Sequence, residues 1–211
     1  MNESPPMHLS LLFITMATLT ILSPGPGVLR SLTNALNYGL RPALVGILGT
    51  ASGTFCIATL SATSLGALLA ASNSAFTVIK YIGAAYLVYL GIKLWRAPAM
   101  ELDNNEKAPR SPKSLFIESF FMQFSNPKAI VFFLSIFPQF IDPASDYAPQ
   151  FMVLVCTFCA LLFCIHAAYA FFAQNAKRWF SHGQGGRWMN RIGGTTFIGF
   201  GLMLAQSKKT T

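Results

Sequence analysis

Apolar residues run along this chain in six long stretches parted by short polar ones, at residues 9–37, 42–71, 75–95, 114–140, 151–173 and 188–205. A helix of about 20 such residues crosses the hydrocarbon core of a bilayer. The pattern therefore predicts an all-α integral membrane protein with six transmembrane helices. Two stretches are interrupted near their middles, the first by Ser23-Pro24-Gly25-Pro26-Gly27 and the fourth by Ser125-Asn126-Pro127-Lys128. Proline removes a backbone donor and glycine relaxes the helix, so in hydrocarbon such breaks persist only where protein or a water-filled cavity satisfies the freed groups. Breaks at corresponding places in two halves are the sequence pointer to a transporter's binding site.

Residues 1–97 and 114–211 each hold three stretches, and residues 98–113, rich in Pro and charge, read as a flexible connector between them. Three is odd, so two halves of the same fold must be inserted in opposite orientations. This predicts a 3+3 inverted repeat with helices 1 and 4 broken. Arg41 lies in the first linker, Lys93, Arg96, Lys107, Arg110 and Lys113 in or beside the third, and Lys177, Arg178, Arg187 and Arg191 around the fifth. The second and fourth turns have no Lys or Arg, so the positive-inside rule places linkers one, three and five in the cytoplasm and both termini outside. Lys208 and Lys209 pull weakly the other way at the carboxyl end.

Composition agrees with the pattern. Of 211 residues 53% are hydrophobic and 10% charged, against about 25% charged in a soluble globule. The formal net charge of +8 does not indicate nucleic acid, because the basic residues fall mainly between apolar stretches and form no basic face interleaved with exposed aromatics. The apolar start is read as mature structure, since no Lys or Arg precedes Arg30 to make the positive region of a signal peptide. Cys56, Cys156, Cys159 and Cys164 all lie in apolar stretches; the lone Cys156-x-x-Cys159 is a weak redox signal and reads better as small packing residues. Gly46, Gly49 and Gly53, and Gly83 with Ala84 and Ala85, read as close-packing faces between helices.

The breaks carry the candidate chemistry. Asn126 is a favoured N-cap and Pro127 a favoured first helical residue, and Gly25-Pro26 is a weaker version of the same pair. Each starts a half-helix near mid-membrane, whose unpaired amides and partial positive charge suit an anion such as a substrate carboxylate. Ser23, Pro24, Gly25, Pro26, Asn126, Pro127 and Lys128 are the candidate substrate-binding residues. A charge at mid-membrane costs on the order of 2.5 to 3.5 kcal/mol, so Lys128 is not expected to face lipid. Lys80 either snorkels to the interface or joins Glu118, Arg30 and His166 as a candidate for proton coupling or an ion pair. Glu118 reads as an interfacial charge or a partner of Arg30, and His166 as a hydrogen-bonded packing histidine or a proton relay.

Together these residues resemble the lysine exporter (LysE/RhtB) family of amino-acid efflux transporters over nearly the whole chain. The likeness rests on Ser23-Pro24-Gly25-Pro26, the glycine-rich second helix from Gly39, the run from Lys80 to Leu87 with Gly91, and Asn126-Pro127-Lys128-Ala129 followed by Phe132-Phe133 and Pro138-Gln139-Phe140. The resemblance implies an exporter of amino acids or related small zwitterions in the bacterial inner membrane, driven by the proton gradient and needing no cofactor. It leaves self-association open. Where the family usually has glycine before the Asn-Pro-Lys motif, this chain has Ser119, small enough to keep the helices close. The competing reading is a membrane thiol/disulfide electron-transfer protein, against which neither break contains a cysteine. Gly-rich nucleotide loops, metal-ligand clusters and nucleophile triads are absent from the sequence, so ATP-driven transport and hydrolysis within the chain find no support.

Overall fold

Helix signals in the chain set most of the element boundaries. A computed structural model describes residues 7–23, 25–71, 73–97, 110–142, 145–173 and 184–206. Pro24, most of the third linker with Lys107, the Lys177 and Arg178 region, and Lys208 and Lys209 lie outside the described residues, as does the side chain of Lys80.

The described residues form helices and turns: α1 (Met7–Leu22), α2 (Pro26–Tyr38), α3 (Leu40–Ala71), α4 (Asn73–Arg96), α5 (Pro112–Phe124), α6 (Pro127–Val131), α7 (Tyr147–Phe171) and α8 (Gln184–Gln206). The polypeptide passes from α2 into α3 through Gly39 alone, whose φ of 84° lies in the left-handed region that side chains disfavour. Its N–H reaches back to the Ala35 carbonyl at 3.0 Å and ends the helix. Ser111 starts α5 by accepting the Ser114 N–H at 3.2 Å, with Pro112 in the first helical position. After α6 the helix widens into a π turn at Phe132–Ile136 and tightens into a 3-10 turn at Phe137–Phe140. Pro138 has no N–H to offer the Leu134 carbonyl, which accounts for the lost α register.

By length and composition, Leu40–Ala62 within α3 and Tyr147–Phe171 can each cross a membrane, and the pair Ser10–Leu22 with Pro26–Tyr38, bent by 57°, counts as one further broken span. Large apolar side chains lie exposed on many helices, among them Leu11, Leu60, Ile82, Phe121, Val153 and Phe171. In water such a surface would be a liability; against lipid it is the expected exterior.

The core sits where the two breaks meet the aromatic turn after α6. Phe13 of α1 lies against Phe132, Phe137 and Phe140, and Phe158 of α7 against Phe132 and Phe133, with ring centroids 4.8–6.4 Å apart. Helices elsewhere approach through small residues. A methyl group on Gly49 would lie 2.9 Å from the Phe116 carbonyl carbon, and one on Gly53 2.6 Å from the Phe120 oxygen, so α3 and α5 meet backbone to backbone. In α4 and α8 the arrangement is reciprocal. Gly91 faces the Gly194 carbonyl and Ile198, Gly201 faces the Ala84 carbonyl and Val88, and the partners are related by one constant offset in residue number. The packing role read from the second-helix glycines is the one they have.

Candidate functional site

Proline arithmetic explains what gathers at the first break. An α-helical carbonyl accepts from the N–H four residues on, so Pro24 leaves Thr20 without its donor and Pro26 does the same to Leu22. Both orphans are met from the second half of the chain. Lys128 Nζ donates to the Thr20 carbonyl and to the Ser23 carbonyl, each at 2.9 Å, and the Tyr169 hydroxyl donates to the Leu22 carbonyl at 3.0 Å. The Lys128 ammonium thus sits at the negative end of the α1 dipole. It also lies 3.1 Å from where a β-carbon on Gly25 would be, so this glycine is what lets the second break come so close.

The second break is held by a buried polar chain. Asn126 Oδ1 accepts the Lys128 N–H at 3.2 Å as the N-cap of α6, while its Nδ2 donates to Gln123 Oε1 at 2.8 Å. Gln123 Nε2 donates in turn to Thr54 Oγ1 at 2.5 Å, and Thr54 donates to the Thr50 carbonyl at 2.8 Å. The chain joins α5 and α6 to α3, and each link satisfies a group that would be costly to leave bare.

His166 of α7 closes the other side. Its Nδ1 is 3.0 Å from Ser31 Oγ, and the serine hydroxyl donates to the Gly27 carbonyl at 2.9 Å. Since that hydroxyl has one proton and spends it on Gly27, Nδ1–H donates to the serine, and in the neutral ring Nε2 is then the acceptor. A β-carbon on Gly27 would lie 3.0 Å from the His166 ring, so glycine is required here by close approach.

Between the breaks lies a cavity of about 30 Å³, whose polar lining comprises Thr20, Gln123, Asn126, Lys128 and His166. That is room for one or two waters. Thr20 Oγ1 is buried there without a hydrogen-bond partner, as is the neighbouring Ser23 Oγ.

Of the candidate residues, Ser23, Gly25, Pro26, Asn126, Pro127 and Lys128 come together, and His166 joins them at the cavity. Glu118 and Arg30 do not line it. Arg30 and Arg110 both donate to the Glu118 carboxylate, and the Ser114 hydroxyl adds a bond of 3.0 Å, tying α2 to α5 one side of the breaks. The side chains are about a third exposed, so this cluster is worth little in stability and more in geometry. The cysteines stay away from the cavity, and Cys159 instead points its thiol at the Ala51 carbonyl, 3.6 Å away. Sequence reasoning missed Thr20, Gln123 and Tyr169. The proline offset could have found Thr20; nothing local marks Tyr169.

Tyr169→Phe removes the one donor that the described residues bring to the Leu22 carbonyl, and the expected cost is about 1 kcal/mol. In purified protein the unfolding midpoint should fall by about 2–4 °C; an unchanged midpoint would mean that water serves the carbonyl equally well.

A family model described as LysE type translocator matches residues 18–208. The chain belongs to that family. A membrane protein of Vibrio cholerae is 38% identical over 96% of this chain and 98% of its own length. The homoserine/homoserine lactone efflux protein of Salmonella typhimurium is 34% identical over 93% of this chain and 95% of its own. No solved structure matches. As a LysE type translocator the protein is a multi-pass membrane transporter of the efflux type and not an enzyme, and both breaks fall inside the matched region.

Proposed function

We propose that this protein exports a small amino acid or a related zwitterion across the bacterial inner membrane, through the cavity where the two breaks meet, with protons as the coupling ion. The observation that carries the reading is the meeting itself. Two interrupted helices from opposite halves enclose a largely apolar cavity into which an ammonium, a buried histidine and a buried amide pair are set. The efflux relative that handles homoserine and its lactone points to the same substrate class. In this conformation the cavity is too small for an amino acid, so the halves part to load it. Two N–H groups of Lys128 are engaged with α1; the third is available to a substrate carboxylate, beside the α2 amides. His166, a cavity-lining ring held through Nδ1 by Ser31, is the group placed to take the proton, on Nε2.

Six spans in a 3+3 inverted repeat is the architecture that accommodates these parts, divided at residues 98–113. The reciprocal glycine contacts of α4 and α8 support it, because residues related by one offset exchanging identical contacts is what a two-fold axis in the membrane plane produces. The orientation follows from the basic linkers. A single cysteine at Asn104, in a chain lacking the native cysteines, should react in intact cells with a permeant reagent and not with an impermeant one. Labelling by the impermeant reagent overturns the orientation.

Export itself is tested in cells expressing the protein and fed dipeptides of each amino acid in turn. At least one small amino acid should appear outside faster than in cells without it; equal efflux for all of them rejects the reading.

A further inference from the structure

The end of α1 has the makings of a cation site. The carbonyls of Thr20 and Ser23 converge on one point, each 2.9 Å from Lys128 Nζ. They close a helix of 16 residues, whose dipole places partial negative charge there. The hydroxyls of the same two residues are buried and unpartnered, and Thr20 lines the cavity. Unwound carbonyls and the C-terminal ends of half-helices are the groups with which secondary transporters hold a coupling cation. Among the described residues the cavity lining includes no carboxylate, so a free cation arriving beside Lys128 would meet its charge uncompensated.

We propose that these oxygens form a monovalent-cation site that the chain fills with its own Lys128 ammonium. Tethered through its side chain, this cation holds α1 to α6 and never leaves with the substrate. Its consequence for transport rests on the exporter reading above: sodium has no place at this site, and the driving ion acts elsewhere in the cavity. The site itself does not depend on that reading.

Lys128→Ala deletes Cγ, Cδ, Cε and Nζ, which are the heavy atoms of n-propylammonium. The test is the thermal unfolding of purified full-length Lys128→Ala titrated with n-propylammonium chloride, with tetramethylammonium chloride, which has no N–H, as the ionic-strength control. The variant's midpoint should rise saturably, by about 3–5 °C at ten times the dissociation constant, with no rise in tetramethylammonium and none in the unsubstituted protein. A variant that responds no more than the unsubstituted protein overturns the site. Should Lys128→Ala fail to fold, Lys128→Gln keeps an N–H on a side chain one bond shorter and carries no charge; an unfolding midpoint equal to that of the unsubstituted protein overturns the proposal too. No amino acid enters these measurements, so their failure is distinct from failure of the export reading. In proteoliposomes, transport that collapses when choline replaces sodium would separately remove the consequence for coupling.

Discussion

Gly49→Leu is expected to leave almost no folded protein in the membrane. A β-carbon at this position would already sit 2.9 Å from the Phe116 carbonyl carbon and 3.0 Å from its α-carbon, and closer still to the oxygen. These are backbone atoms of α5, which cannot rotate aside as a side chain could. Overpacking costs about 1–3 kcal/mol where side chains can adjust, and a rigid backbone puts this case at or above the top of that range. In a membrane the loss is compounded, since close packing of small residues is what holds helices together there. Parting α5 from α3 would also strip Gln123 from Thr54 and so unlatch the second break. The check is membrane abundance and the unfolding midpoint in detergent, beside Gly199→Ala, whose added methyl meets nothing within 4 Å and should behave as the unsubstituted protein does. A Gly49→Leu midpoint within a few degrees of normal would contradict the α3–α5 packing described above.

Lys128→Ala should abolish export at matched membrane abundance, to a few per cent of normal or less. Two losses coincide: the carbonyls of Thr20 and Ser23 lose their donor, and the cavity loses its one permanent cation. Alanine keeps helix propensity high in α6, so insertion should survive better than transport. Arginine is not expected to substitute, because a planar fork is larger than an ammonium and directs its donors differently. Lys128→Gln should transport poorly for want of charge. Near-normal export by Lys128→Ala across the amino acids would show that the substrate pathway lies elsewhere.

Much of this was visible in the order of residues. The all-helical membrane character is written as apolar runs, of which two or three are long and apolar enough to cross among the described residues, and the breaks as prolines with their caps; Asn126 does what an Asn before Pro at a helix start does, and the second-helix glycines pack as their spacing suggested. The pairing of Arg30 with Glu118 was one of two readings, and it is the one found. What escaped was long-range in origin. Tyr169 meets a carbonyl 147 residues earlier in the chain, and no local pattern reports which hydroxyl will arrive at an orphaned oxygen. The assignment of Lys128 to substrate was also incomplete: a lysine at mid-span reads as a group awaiting a ligand, whereas two of its donors already serve the backbone of α1.

The two orphaned carbonyls and that of Ser23 are met entirely by residues translated long after them. While the ribosome is still making the first hundred residues, the end of α1 has neither Lys128 nor Tyr169 to receive it. A nascent first half therefore cannot rest in lipid in its final form. It must linger in a wetter setting, at the insertion machinery or with the break drawn toward the interface, until α7 emerges. A gene cut between the halves should accordingly yield two fragments that are each degraded alone and persist only when made together.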